Sequence, residues 1–361
     1  MSIKSSLLSS EMEPAEDVNC IELDITDEKS ALRRRVDTED RNLFHQLESD
    51  KIKTRKGDIH VAIQGDRNAK RTAIVTLHDI GQNHVSCFQS IFCFHQFKPL
   101  LNNFTVYHLN FPGQEEDAEE LPEDYIYPTM EEMADVVEEV FAYYNLRNTI
   151  CFGVGAGANV FIRLGLKDPK HVECLILVNP IAGTASWSDW GHEKVLSHYL
   201  KTKGMTQFCQ DYLLYHFLGK FDENTKRDLA DAVRDDLHRI KHPRNLSLLI
   251  EAHAKRSNIK MNRPVAGQSA SDTLKCGVLM MTGEHSPAVD DTVALNAKLD
   301  PTNSTWIKIA DATSMVLEEQ PTGVTNAIVL FLQGYGHAMK MRPPALSFTG
   351  HEQVEGPPAV C

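Results

Sequence analysis

The sequence predicts an α/β fold in which a mostly parallel, doubly wound sheet carries a helical cap insertion. Short apolar runs alternate with segments of helical spacing along most of the chain, and a glycine-rich turn joins one predicted strand to a helix. A helical stretch rich in aromatic residues, at about 185–261, interrupts this alternation. Strands separated by helices are typical of a parallel sheet that is covered on both faces.

The predicted strands are short, and most are continuous apolar runs, which is typical of buried strands. They lie at residues 58–63, 72–77, 104–109, 149–154, 172–178, 277–282 and 305–309. The first alternates polar and apolar residues and is therefore predicted to be an edge strand. Helical spacing predicts helices at residues 130–144, 156–166, 289–299 and 324–332. The cap is expected above the carboxyl ends of the strands, where open α/β sheets bind ligands.

Three regions are predicted along the chain. Residues 1–50 are polar and strongly charged without a sustained period, which predicts a disordered acidic N-terminal arm. Residues 51–337 form the predicted folded domain, with the cap at about 185–261. Residues 338–361 are rich in proline and aperiodic, and they are predicted to form a disordered C-terminal tail.

Composition excludes several classes of function. The net charge of −13 argues against a nucleic-acid-binding protein, because phosphate neutralisation needs clustered lysine and arginine. No run of 18 apolar residues is present, so no transmembrane segment is expected, and Met1–Ser10 lacks the apolar core of a secretory signal. The eight cysteines form no CxxC pair, which favours reduced thiols in the cytoplasm, with Cys151 and Cys276 buried in apolar runs.

The motif that decides the interpretation is the glycine-rich turn at residues 149–158. It has the strand, tight turn and helix of the nucleophile elbow of α/β-hydrolases, whose pattern is Gly-x-Ser-x-Gly. Gly153 and Gly157 match the flanking glycines, whereas Gly155 stands at the nucleophile position and cannot form an acyl-enzyme. A dinucleotide loop is disfavoured, because the third glycine comes one residue early and the next predicted strand ends in Asn-Pro. No cofactor is therefore expected.

A second hydrolase turn follows the predicted strand at 72–77. In hydrolases, a His-Gly turn at this place helps to shape the oxyanion hole from backbone N–H groups. Here Asp79 replaces the glycine, and a carboxylate beside a developing oxyanion is electrostatically unfavourable. His78 is predicted to stabilise the turn rather than to act as a base.

The two remaining triad positions are also vacant. The expected acid position after the strand at 277–282 is Ser286, with Glu284 and Asp290 as possible substitutes. Counting back from the Glu-Gln-Pro that precedes the last helix places Ser314 where hydrolases carry the catalytic histidine. Three losses, at Gly155, Ser286 and Ser314, predict that no catalytic residue is present and that the protein is not an enzyme.

Other candidate chemistry is weaker. His192, Glu193 and His198 lie close together in the cap, but a six-residue spacing between the histidines is poor for one helix face, and no metal site is predicted. Cys151 lies within a strand and is expected to be a buried structural thiol rather than a displaced nucleophile. The cap aromatics are expected to pack the cap onto the sheet, with a ligand pocket as the alternative.

These residues make the chain similar to the N-myc downstream-regulated (NDRG) family. The resemblance extends over roughly residues 55–336. It is carried by HDIGQNHVSCF at 78–88, FPGQEE at 111–116, YPTM at 127–130, GVGAGA at 153–158, WSDW at 187–190, SPAVD at 286–290 and KLDP at 298–301.

The resemblance implies a catalytically inactive α/β-hydrolase fold that acts in cytoplasmic signalling, growth, differentiation or stress responses. The short C-terminal tail lacks the Ser/Thr-rich segments or repeats that are phosphorylated in some members of the family. Two alternatives stay open: a cryptic hydrolase that uses displaced residues such as His78 with Glu284, and a receptor that binds a small molecule or lipid under the cap. Protein partners are expected, but the sequence identifies none.

Overall fold

A computed structural model describes residues 20–23, 38–69, 71–185, 187–221, 223–264 and 272–337. Within these ranges, one nine-stranded sheet is flanked by helices. The strands are β1 (Cys20–Leu23), β2 (Glu48–Thr54), β3 (Gly57–Gln64), β4 (Thr72–Leu77), β5 (Phe104–Leu109), β6 (Thr149–Val154), β7 (Val172–Val178), β8 (Gly277–Gly283) and β9 (Ser304–Ile309).

The helices cover both faces of the sheet and form the cap. They are α1 (Thr38–His45), α2 (His84–Phe92), α3 (Lys98–Leu101), α4 (Met130–Tyr144), α5 (Ala156–Lys167), α6 (Trp187–Thr202), α7 (Gln207–Leu218), α8 (Glu223–His238), α9 (Pro243–Ala254), α10 (Val289–Asn296), α11 (Val316–Glu319) and α12 (Pro321–Gly334). Within the described part of the chain, no helix combines the length and the apolar character needed to cross a membrane.

The strand order of the sheet is β1-β9-β8-β7-β6-β4-β5-β3-β2. All neighbouring pairs from β1 to β5 in this order are parallel, whereas β3 pairs antiparallel with both β5 and β2. The predicted mostly parallel, doubly wound sheet is therefore confirmed. Every residue of β5, β6 and β8 is buried, as expected for strands covered on both faces.

Most predicted elements are observed close to their predicted positions, and β4, β5, β6, β7 and α4 begin and end at the predicted residues. The prediction of an edge strand at 58–63 was wrong, because β3 lies between β5 and β2. The N-terminal arm also needs correction: β1, α1 and the start of β2 fall within residues 1–50. The other residues of the predicted arm, and the predicted tail at 338–361, lie outside the described residues.

Two apolar clusters form the core, one on each face of the sheet. One cluster joins the sheet to α4, α5 and the cap, and the other joins it to α2 and α12. Capping residues at both ends of α4 determine where this helix begins and ends. Thr129 caps its N-terminus in a capping box with Glu132, and Asn145 ends it in the left-handed conformation.

The cap is an insertion of four helices, α6 to α9, between β7 and β8. It occupies the region that the sequence analysis assigned to it. Its helix α7 reaches the turn after β4, where the side chains of Leu213 and Phe217 lie against Gly81. Cys151 and Cys276 are buried free thiols, as predicted. This arrangement places the cap over the loops that follow β4 and β6.

Candidate functional site

The glycine elbow between β6 and α5 is the centre of the candidate site. Gly155 adopts φ +49° and ψ −109°, and its N–H donates to the carbonyl of Val178 at 2.9 Å. The helix then crosses close to β4, and Gly157 N–H donates to the carbonyl of His78 at 3.2 Å. A Cβ atom at Gly157 would overlap with the carbonyl of Leu77. The flanking glycine is therefore required by this close approach of two backbones.

The Asp79 carboxyl group fills the space beside Gly155. A Cβ atom at Gly155 would overlap with all three atoms of this carboxyl group. Asp79 Oδ1 accepts hydrogen bonds from the N–H groups of Ile80 at 2.7 Å and Ala156 at 2.9 Å. In α/β-hydrolases the N–H after the nucleophile and an N–H from this upstream loop stabilise the oxyanion. The Asp79 carboxylate thus fills the space that a side chain at position 155 would need. It also accepts from the two N–H groups that correspond to the oxyanion donors of the hydrolase motif.

The cap supplies the second partner of this carboxylate. His216, on α7, approaches Asp79 Oδ2 with its Nε2 at 2.8 Å. Burial opposes charge on both groups, but the mutual attraction and hydrogen bond outweigh it: the pKa of His216 is raised and that of Asp79 is lowered. The two N–H donors lower the pKa of Asp79 further. The mutual attraction favours the imidazolium and carboxylate forms of the pair, and the pair joins the cap to the turn after β4.

His78 has the structural role that the sequence predicted. Its Nδ1–H donates to the carbonyl of Asp79 at 2.7 Å, and its Nε2 accepts from the N–H of Phe111 at 3.1 Å. Burial lowers its pKa to about 4, so the ring is neutral. Both ring nitrogens are engaged, and Glu284 is instead exposed and accepts from the N–H of Asp311 at 3.2 Å. This geometry argues against a His78–Glu284 catalytic pair.

The structure brings together the two serines at the predicted acid and histidine positions. Ser286 Oγ and Ser314 Oγ are 2.8 Å apart, and Ser314 Oγ donates to the carbonyl of His216 at 3.3 Å. Ser314 N–H also donates to the carbonyl of Phe217 at 3.0 Å. The C-terminal part of α7 is therefore hydrogen-bonded both to Asp79 in the turn after β4 and to the loop after β9.

We expect Ser286→Ala and Ser314→Ala each to lower the free energy of unfolding by about 1 kcal/mol, because each removes a hydroxyl from this hydrogen-bonded pair. The double variant should lose less than the sum of the two losses. Either single substitution already removes the hydrogen bond between the two hydroxyls, so the second cannot remove it again. Urea unfolding of the four proteins measures this coupling. Strictly additive losses would contradict the 2.8 Å contact.

Two residues that contribute to the site were not identified from the sequence. Asn179, at φ +47°, accepts from Thr282 Oγ1 at 2.9 Å and donates to the carbonyl of Ser314 at 2.8 Å. The Asn-Pro pair at the end of its strand was a visible signal for a special turn. His216 has no such signal, because it is one of many polar residues on a cap helix.

The structure does not group His192, Glu193 and His198 into a set of potential metal ligands. Glu193 lies near His253, with 3.7 Å between Oε1 and Nδ1, and not in a cluster with His198. Elsewhere in the described residues, Glu284, His285 and Asp311 offer ligand atoms within 4.8 Å of one another, but all three are exposed.

The sheet order, the cap insertion and the elbow define the class: the protein has an α/β-hydrolase fold. It is similar to an esterase from Thermogutta terrifontis, with TM-score 0.63 and 18% identity over 80% of this chain and 98% of that one. It is equally similar to the enol-lactonase of Burkholderia xenovorans LB400, with TM-score 0.63 and 17% identity over 79% of this chain and all of that one. At these identities the likeness shows the fold alone.

The chain belongs to the Ndr family, whose model matches residues 49–339. Protein NDRG3 of Xenopus tropicalis is 37% identical over 79% of this chain and 72% of the relative. Protein NDRG2 of Danio rerio is 32% identical over 88% and 84%, respectively. Protein NDRG1 of Xenopus tropicalis is 34% identical over 82% and 72%. The family resemblance found in the sequence is thus confirmed.

Proposed function

We propose that this protein is a non-enzymatic member of its family that acts by binding other proteins in cytoplasmic signalling, in growth, differentiation or stress responses. The observation that carries the proposal is the position of the Asp79 carboxylate. It fills the space of a nucleophile side chain at Gly155 and uses the N–H groups of Ile80 and Ala156. A substrate carbonyl could not enter this space without displacing a charged, hydrogen-bonded group.

The closed cap supports the same proposal. Helix α7 contacts the turn after β4 through His216, which binds Asp79, and through Phe217, which lies against Gly81; its His216 carbonyl accepts from Ser314 in the loop after β9. A cap packed directly onto this turn favours a binding protein that uses its outer surface. The two serines Ser286 and Ser314 supply neither a carboxylate nor an imidazole to activate water.

The proposal is tested by measuring turnover of p-nitrophenyl esters with short and medium acyl chains by the purified full-length protein. We expect no turnover above a heat-denatured blank, whereas a carboxylesterase at the same concentration should be fully active. Saturable turnover that follows the folded wild-type protein through gel filtration would show that the proposal is wrong.

One observation favours a second candidate, a receptor for a small hydroxylated molecule. Glu193 Oε2 and His253 Nε2 are buried and have no hydrogen-bond partner in the described part of the chain. His253 Nδ1 accepts from Arg256 Nη1 at 3.1 Å, so Nε2 carries a proton and is a donor. A ligand hydroxyl group can donate to the carboxylate oxygen or accept from the imidazole N–H, and either contact would give a buried atom a partner. Native mass spectrometry tests this candidate, because only a bound ligand larger than water adds a discrete mass that Glu193→Gln removes.

A further inference from the structure

We propose that the former oxyanion cradle is a binding site for a carboxylate, that the tethered Asp79 side chain occupies it in the resting protein, and that this occupancy locks the cap onto the sheet. The cradle consists of the N–H groups of Ile80 and Ala156 together with the Nε2 of His216. This inference goes beyond the proposed function, because it assigns a ligand chemistry and a conformational role to the elbow.

The geometry of the three donors matches one carboxylate. Asp79 Oδ1 receives both backbone N–H groups, at 2.7 and 2.9 Å, and Oδ2 receives the imidazole at 2.8 Å. Each distance lies in the range of charge-assisted hydrogen bonds to a carboxylate. Ala156 is the first residue of α5, so the positive end of the helix dipole also favours an anion at this position.

The carboxylate is buried, and this makes its three donors important for the cap. Asp79 is 5% exposed, and an ionised carboxylate at such a position requires compensating partners. Two of the donors belong to the sheet side of the site, and the third belongs to α7 of the cap. The carboxylate therefore bridges the two parts. Without an anion in the cradle, the imidazole of His216 would have lost its hydrogen-bonded partner, and α7 would be less firmly held.

Chemical rescue tests the lock on the full-length chain. Asp79→Ala removes the tethered carboxylate and leaves the cradle open to a free one. We expect this variant to melt at a lower temperature than the wild type and to exchange the amide hydrogens of α7 at least tenfold faster. Sodium formate or acetate should reverse both changes in a saturable manner, within roughly 1–100 mM because so small a ligand binds weakly. Sodium chloride at equal ionic strength should not.

Two variants serve as controls for the role of His216. Asp79→Ala/His216→Ala lacks the cap donor, so formate should no longer slow hydrogen exchange in α7. Asp79→Ala/His198→Ala changes an exposed cap histidine instead and should retain the rescue. Asp79→Asn preserves the shape of the side chain without its charge, and it should also speed exchange in α7 while exchange in α12 stays unchanged. This variant provides the readout if Asp79→Ala does not fold.

Two results would overturn the proposal: equal effects of formate and chloride on folded Asp79→Ala, or wild-type exchange rates of α7 in both Asp79→Ala and Asp79→Asn. Neither result bears on ester turnover by the wild-type protein. Failure of the lock and failure of the non-enzymatic function are therefore distinguishable.

Discussion

Gly155→Ser is expected to lower the free energy of unfolding by about 3 kcal/mol, even though serine is the residue that hydrolases carry at an elbow. The cause is the occupied space beside the backbone. The new Cβ would overlap with the carboxyl group of Asp79, which is held by two N–H groups and by His216. Relieving the overlap requires moving a buried charge away from its partners, and this costs more than shifting an apolar side chain.

A double variant distinguishes overlap with the Asp79 carboxyl group from backbone strain at Gly155 as the cause of the expected loss. Asp79→Gly removes the obstructing carboxyl group, so Gly155→Ser should cost at least 1 kcal/mol less in that background than in the wild type. Gly191→Ser is a matched control, because a Cβ at Gly191 meets nothing within 4 Å, and its effect should stay within about 0.5 kcal/mol. Urea unfolding monitored by circular dichroism measures all four. If the two substitutions are additive, strain at Gly155 and not the overlap causes the loss.

Three buried histidines that are neutral in the folded protein are together expected to lower the stability by about 6 kcal/mol when the pH falls from 7 to 5. Burial lowers the pKa of His78 to about 4 and, with the nearby His60, that of His84 to about 3. Burial also holds the pKa of His108 well below its usual value. Each ring protonates near pH 6.5 in the unfolded chain. At pH 5, proton binding therefore stabilises the unfolded chain by about 2 kcal/mol per histidine relative to the folded chain.

The sign follows from proton binding. Below about pH 6.5 the unfolded chain binds protons at these histidines and the folded chain does not, so stability falls as the pH falls towards the folded pKa values. Two groups act in the opposite direction: the pKa of His216 is raised by Asp79, and burial raises the pKa of Glu318 to about 8, so the folded chain binds protons at both before the unfolded chain does. Typical domains are stable by about 5–15 kcal/mol, so the net loss should appear as a lower urea midpoint at pH 5 than at pH 7. Urea titrations at pH 7, 6 and 5 provide the measurement.

A single substitution tests the assignment to one of these rings. His84→Gln should reduce the slope of stability between pH 6 and pH 5 by about 1.4 kcal/mol per pH unit, because one proton no longer binds on unfolding. His95→Gln is the matched control. His95 is exposed in the segment between α2 and α3, and its substitution should leave the slope unchanged. An unchanged slope in His84→Gln would assign the acid sensitivity to other groups.

The central strands and the elbow were predictable from the sequence. Runs such as Thr149–Val154 and Val172–Val178 are continuous and apolar because a strand covered on both faces needs no polar side, and the structure confirms both. The glycine at position 155, where the hydrolase motif has its nucleophile, was equally visible, since it is a property of one residue in a short motif. The edge of the sheet was not: β2 contains charged, weakly periodic residues and gave no clear strand pattern.

Only the tertiary structure decided what fills the site. From the sequence, Asp79 is only an unfavourable charge near an oxyanion, but in the fold its carboxylate accepts from the N–H groups of Ile80 and Ala156, the oxyanion donors of the hydrolase motif. His216 is 137 residues away from Asp79 along the chain, and no local pattern marks such a pair. A motif predicts the backbone conformation that a few neighbouring residues adopt. Which distant side chain occupies the resulting space depends on how the cap packs, and that is a property of the whole fold.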